Sequence, residues 1–212
     1  MKKTVLFLLL IIISISAQTT PQESLQKLQD GNARFCSGNL AEKDFKTEIE
    51  MTAEGQSPYA IIVACSDSRV APETIFDESI GKLFVIRLAG NVIDTAAIGS
   101  IEYAVKYLHS SYLLMLGHTH CGAVHATVTG KNYTPSINAI AKMISPAYQK
   151  AQKMVLDENN ILYETIKENV YLQSQNLLNN SREIENHIND GSLKMGEAIY
   201  DISTGKVVFL EE

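Results

Sequence analysis

The sequence predicts an α/β protein, with a mainly parallel central β-sheet flanked by helices and an additional helix at the N-terminal end. Three observations carry that prediction. Short apolar runs at Tyr59 to Ala64, Leu83 to Leu88 and Tyr112 to Gly117 lack polar alternation, as strands buried on both faces do. Between them, apolar residues recur at helical spacing, and that alternation of strand and helix favours a parallel sheet. A chain of 212 residues, 45% hydrophobic, supports one core of good size and is too short for two ordinary domains.

In chain order, Thr20-Pro21-Gln22-Glu23 reads as a helix start, with threonine as N-cap, proline at the first helical position and glutamate three residues past the cap. That helix presents Leu25 and Leu28 and runs to about Cys36. Glu50 to Ser57 is polar, contains Gly55 and reads as a loop into the first strand. Asp94 caps a helix carrying Ile98, Ile101, Val105 and Leu108, and another helix begins near Ala123. Ile137, Ile140 and Ile144 line a helix face until Pro146 interrupts it; Ile161, Ile166, Val170 and Leu177 mark a long helix ending at Asn179-Asn180-Ser181. Met195 to Ile202 and Lys206 to Leu210 form a hairpin across Thr204-Gly205. There is no internal repeat, and residues 18–212 form a single domain.

Residues 1–17 have the three regions of a secretory signal peptide: Lys2 and Lys3, the apolar run Val5 to Ile13, then Ser14-Ile15-Ser16-Ala17. The apolar run is short for a membrane span of about 20 residues. The prediction is cleavage after Ala17, no stable membrane insertion afterwards, and a periplasmic or secreted protein. An uncleaved anchor is the alternative. The net charge of −6 becomes −8 once the two leader lysines are gone, and without basic clusters the chain is a poor fit to nucleic acid.

The chemistry-bearing residues sit at strand ends. Cys65 follows the first apolar run, and His118 and Cys121 follow the third. Two thiolates and an imidazole form a soft donor set suited to zinc, and three protein ligands leave a fourth tetrahedral position for water or substrate. The rival is a Cys65–Cys121 disulfide, natural in an oxidising compartment. Cys36 is left over and reads as a small buried hydrophobe. Asp67 and Arg69 follow Cys65 at two-residue steps. In a tight turn that carboxylate lies near enough to bind the metal or to accept a hydrogen bond from metal-activated water, while the guanidinium holds it at two points. The Gly122 N–H, at a helix start, suits an anion.

Cys65-Ser66-Asp67-Ser68-Arg69 with His118-x-x-Cys121-Gly122 resembles the signature of the β-class carbonic anhydrases. Gly31-Asn32-x-Arg34-Phe35, Val70-x-Pro72-Glu73, Arg87-x-Ala89-Gly90-Asn91-Val92, Gly99-Ser100-x-Glu102-Tyr103-Ala104 and Gly196-x-Ala198-x-Tyr200-Asp201 extend the likeness over nearly the whole chain beyond its first twenty residues. The resemblance implies the β-carbonic anhydrase fold and zinc on Cys65, His118 and Cys121. It also implies reversible hydration of carbon dioxide to bicarbonate and a proton by attack of zinc-bound hydroxide. Asp67 and Arg69 become an orienting dyad and gate: the zinc is open when Arg69 engages Asp67 and shut when Asp67 binds the metal. Gln56 matches a glutamine that donates to bicarbonate, and Phe84, Ala89 and Tyr103 fall where the family places apolar walls. The N-terminal helix becomes an arm that packs on a partner subunit, in a homodimer or higher homo-oligomer that shares its pockets. Ile62 stands where a subset of the family carries a tryptophan of a bicarbonate-binding regulatory site, so the likeness does not extend to that site.

Other readings stand beside these. The same zinc site could hydrolyse carbon disulfide or carbonyl sulfide, or the chain could be a non-catalytic zinc-binding or disulfide-stapled scaffold. His109, His120 and His125 read as surface or structural histidines before they read as ligands or proton relays.

Overall fold

The computed structural model describes residues 19–154 and 160–210, so the predicted leader lies outside the described residues. Five strands, β1 (Ala60–Ala64), β2 (Leu83–Arg87), β3 (Tyr112–His118), β4 (Lys194–Tyr200) and β5 (Val207–Phe209), form one sheet in the order β2-β1-β3-β4-β5. The first four pair in parallel, and β5 returns antiparallel on β4 as the predicted hairpin. β1 and β3 are central and buried along their whole length, which is why their sequences show no polar alternation.

Helices α1 (Pro21–Ser37), α2 (Phe45–Thr52), α3 (Pro72–Ile75), α4 (Thr95–Lys106), α5 (Gly122–Thr129), α6 (Pro135–Met154), α7 (Ile161–Asn180) and α8 (Arg182–Asn189) cover the sheet. The strand period of two divides the core. Ala60, Ile62, Ala64, Leu114 and Leu116 pack with Leu28 of α1 and with Val70, Ile75 and Phe76 on one face. Ile61, Val63, Leu113 and Met115 pack with Ile101 and Val105 of α4 and with Val170 and Leu177 of α7 on the other.

The N-terminal helix begins as predicted: the Thr20 side chain accepts from the Glu23 N–H while the Glu23 carboxylate accepts from the Thr20 N–H. It does not stand clear of the core. Leu28 is fully buried, and the buried Asn32 amide donates to the Ile75 and Gly205 carbonyls and accepts from the Val207 N–H, tying α1 to the hairpin. Cys36 is exposed, contrary to the sequence expectation, with its thiol on the Gly205 carbonyl.

Three helical details differ from the sequence reading. Residues 50–52, expected in a loop, end α2, a helix without a buried residue that is held at its start by the Asp44 side chain accepting from Thr47 N–H. α6 runs through Pro146, because Ile144, Ala147 and Ala151 bury a continuous face that compensates the lost backbone bond. Ser181 both ends α7 and caps α8 by accepting from the Ile184 N–H.

Asp77 is a buried carboxylate at φ +49°, bound by Arg34 Nε at 2.6 Å, Lys43 Nζ at 2.7 Å and the Ala41 N–H at 2.9 Å. Burial alone would push its pKa up, but Lys43, Arg34 and the Ala41 N–H together hold it down to about 2. A carboxyl lowered in the folded state stabilises the fold above its unfolded value near 4, and that contribution is lost as pH falls through about 2. Asp77→Asn should therefore cost roughly 2 kcal/mol at pH 7, discounted from the usual buried-pair loss because Arg34 can turn to water. Thermal unfolding of the two proteins should differ at pH 7 and converge as the pH is lowered from about 4 towards 2; a constant gap would exclude ionised Asp77 as the cause.

Candidate metal centre

The chain leaves β1 towards β2 on one side and reaches β3 on the other, so the strand order reverses between β1 and β3. Parallel sheets open a crevice at the carboxyl ends of such a strand pair. Cys65 is the residue after β1, His118 is the last of β3, and Cys121 is the N-cap of α5. All three are buried, and one ligand atom from each lies within 4.8 Å of the other two. Tetrahedral zinc would hold two sulfurs and a nitrogen roughly 3.5 to 3.8 Å apart, so the spacing suits a metal with little adjustment. Cys65 and Cys121 are free thiols.

The imidazole is already set for a ligand. Nδ1 lies 2.9 Å from the Thr119 carbonyl, which can only accept, so Nδ1 carries the proton and Nε2 presents a lone pair. Nε2 is buried and has no hydrogen-bond partner, a costly state for a polar atom unless something binds it. Thr119 is itself fixed, its N–H donating to the Tyr200 carbonyl and its hydroxyl accepting from the Ile202 N–H. Beside His118, a Cβ on Gly117 would fall 2.6 Å from Val170 Cγ2, so glycine there lets α7 lie against β3.

The two thiols behave as a pair. Hydrogen bonding from Cys121, then from the Gly90 and Asp67 N–H groups, lowers the Cys65 pKa against the opposing effect of burial. Cys121 is pushed up by its hydrogen bond with Cys65, by burial and by the negative charge on Cys65. Together they hold one charge readily and a second reluctantly; a divalent cation is what lets both ionise.

Asp67 and Arg69 form a closed clamp. The Arg69 N–H and Nε donate to Oδ1 at 3.0 and 2.9 Å, and Nη2 donates to Oδ2 at 2.7 Å. The Arg69 hydrogen bond, opposed by burial, holds the Asp67 carboxyl well below the usual carboxylate range. Arg87 braces the same loop, donating from Nε to the Cys65 carbonyl and from Nη2 to the Asp67 carbonyl. A 3-10 turn at Ala89–Asn91 closes over it, and the Gly90 N–H donates to Cys65 Sγ at 3.2 Å. Sequence reasoning missed the residues behind that turn. Asn169 and Gln173 are buried polar residues four apart on α7, among the apolar Ile166, Val170 and Leu177, and that interruption of an apolar face was the available signal.

The remaining predicted residues divide in two. Gly122 opens α5 next to Cys121, and Ala89 precedes Gly90, so both adjoin the triad. Gln56 is exposed in the loop before β1, separated from Cys65 by a five-residue strand that spans roughly 17 Å. Phe84 sits near the amino end of β2 beside Ile61, and Tyr103 is exposed on α4, its ring 5.5 Å from that of Tyr107. One chain therefore does not gather Gln56, Phe84 and Tyr103 around its own triad. His109 lies before the amino end of β3, while His120 and His125 are exposed near the triad's end.

A buried thiol–imidazole–thiol set at the reversal point of a parallel sheet, with an ionised carboxylate clamped alongside, is the architecture of a metalloenzyme. Comparison narrows the class. The carbonic anhydrase family model matches residues 60–207. Carbonic anhydrase 2 of Mycobacterium tuberculosis is 34% identical over 195 residues, covering 90% of this chain and 93% of the relative. The carbonic anhydrase of Mycolicibacterium smegmatis is 39% identical over 140 residues, 64% of this chain and 68% of the relative. Among solved structures, the β-carbonic anhydrase of Coccomyxa in complex with acetazolamide superposes with a TM-score of 0.70 at 25% identity, over 89% of this chain and 86% of that one. A tetrameric β-carbonic anhydrase of Sordaria macrospora, 22% identical, shares the fold with a TM-score of 0.71 over 79% of this chain and 91% of that one. The chain belongs to the carbonic anhydrase family, in its β class, and is an enzyme of that lyase type.

Proposed function

We propose that the protein catalyses the reversible hydration of carbon dioxide to bicarbonate and a proton at a zinc ion held by Cys65 Sγ, His118 Nε2 and Cys121 Sγ. The observation that carries the zinc assignment is the buried, unpartnered Nε2 of His118 facing two thiols. Zinc in that cradle supplies the Lewis acidity that brings deprotonation of water into the working pH range.

The protein's own groups then have defined tasks. Asp67, kept ionised by Arg69, accepts a hydrogen bond from the attacking water and turns its reactive lone pair towards carbon dioxide. The same clamp would keep the carboxylate on Arg69 and off a bound metal, which corresponds to the open setting of the dyad. Arg87 fixes the main chain on both sides of Ser66, and the Gly122 N–H, at the first position of α5, can donate to a bicarbonate oxygen.

Two thiolates donate more charge to the metal than imidazoles would, so activity should climb from about pH 6 to pH 9. Asp67→Asn should retain about one zinc per chain and lower turnover about a hundredfold. Metal analysis with a stopped-flow carbon dioxide assay checks both statements; zinc loss at normal activity per zinc would refute the orienting role of Asp67.

Gln56, Phe84 and Tyr103 are proposed to serve the pocket of a second copy, in a homodimer or larger assembly. Support comes from their separation from the triad of their own chain and from the tetrameric state of the Sordaria relative. In a symmetric dimer, mixing inactive Gln56→Ala and Cys65→Ser chains rebuilds one intact pocket per mixed pair. Recovery of about a quarter of wild-type activity on random mixing is expected, and no recovery would place Gln56 in its own chain's pocket.

Export is supported by the tripartite leader, Lys2 and Lys3, the apolar run Val5 to Ile13 and the small residues up to Ala17. Among the described residues no helix is long and apolar enough to cross a membrane. N-terminal sequencing of the protein from cells should begin at Gln18, and a retained Met1 would refute processing.

A further inference from the structure

Cys65 receives more than a metal-facing position: its sulfur is aimed at by an amide that is itself held from behind. Gly90 donates its N–H to Cys65 Sγ at 3.2 Å, and its carbonyl accepts from Asn169 Nδ2 at 2.9 Å. Asn169 Oδ1 accepts from Gln173 Nε2 at 3.0 Å, and Gln173 Oε1 accepts from the Ile93 N–H at 2.9 Å. Asn169 and Gln173 are almost fully buried, so this chain of amides has no water to substitute for a lost member. Gly90 is at φ +68°, and a Cβ there would meet Ile144 Cδ1 at 2.7 Å, which leaves the turn little room to move elsewhere.

We propose that Asn169 and Gln173 are positioning residues for the metal centre, holding the 89–93 segment so that the Gly90 N–H stays on the Cys65 sulfur. The inference rests on the metal reading of Cys65, His118 and Cys121. An N–H bond to a ligating thiolate draws charge away from the metal and fixes the direction of the sulfur, and outer partners of this kind typically alter metal affinity 10- to 100-fold. The device differs from the Asp67–Arg69 clamp, which lies in the loop directly after Cys65 and acts on water.

The test uses the full-length protein loaded with zinc or cobalt(II). Asn169→Leu preserves bulk but removes the donor to Gly90, and Asn169→Asp, when ionised, keeps the acceptor for Gln173 while removing the same donor, so that variant is read at about pH 9. Leu177→Ala, in the core on the same helix, is the control for general loosening. Either Asn169 variant should weaken zinc binding, read by chelator competition, at least tenfold, and should move the thiolate-to-cobalt charge-transfer band to longer wavelength as the sulfur donates more freely. The control should lose thermal stability without moving the band. Zinc affinity within twofold of wild type and an unmoved band in Asn169→Leu would overturn the proposal, as would an equal band shift in Leu177→Ala. Failure of the wild-type protein to bind either metal would instead overturn the metal reading, and this inference with it.

Discussion

The whole site depends on one constraint: an imidazole is buried at the end of a strand with one nitrogen committed to a carbonyl and the other left without a partner beside two thiols. His118 can occupy that place because the Thr119 carbonyl takes Nδ1 and because β3 pairs its last residue with Tyr200 of β4. Leaving Nε2 unsatisfied in a dry interior costs stability, and an electrophile that accepts the lone pair offsets that cost. The thiols of Cys65 and Cys121 beside it suit a soft divalent cation. The ionised Asp67, the Arg87 brace and the Gly90 amide each act on what that first commitment creates.

The fold supports this economically. β1 and β3 are buried on both faces, so their side chains are spent on the core and only the residues at their carboxyl ends are free for chemistry. The helices that cover them reach the site as well. α7 contributes Val170 and Leu177 to the core and Asn169 and Gln173 to the turn over Cys65, and α5 begins at the residue after the third ligand. Packing and chemistry are thus carried by the same buried face of one helix, where polar side chains interrupt the apolar ones.

Much of this was legible in the sequence, because the signals were local. Unbroken apolar runs marked the central strands, a capping box marked the first helix, and the short spacing of Cys65, Asp67 and Arg69 placed three polar groups on one turn. What escaped was either nearly featureless or distant along the chain. α2 has no buried face to leave a periodic trace, and α8 hides behind a serine that ends one helix and starts the next. Pro146 misled because the rule that proline breaks helices gives way when both flanks are well packed. Asn169 reaches Gly90 across 79 positions, and nothing in the intervening sequence announces the contact.

The length of β1 has a further consequence. It keeps Gln56 at one margin of the sheet and the thiols at the other, so one subunit holds the three candidate ligands without Gln56 beside them. If a neighbour supplies that residue, dilution becomes a form of inhibition. Specific activity would then fall with protein concentration while metal content per chain stayed constant, and the strength of subunit association would set the lowest concentration at which the enzyme works.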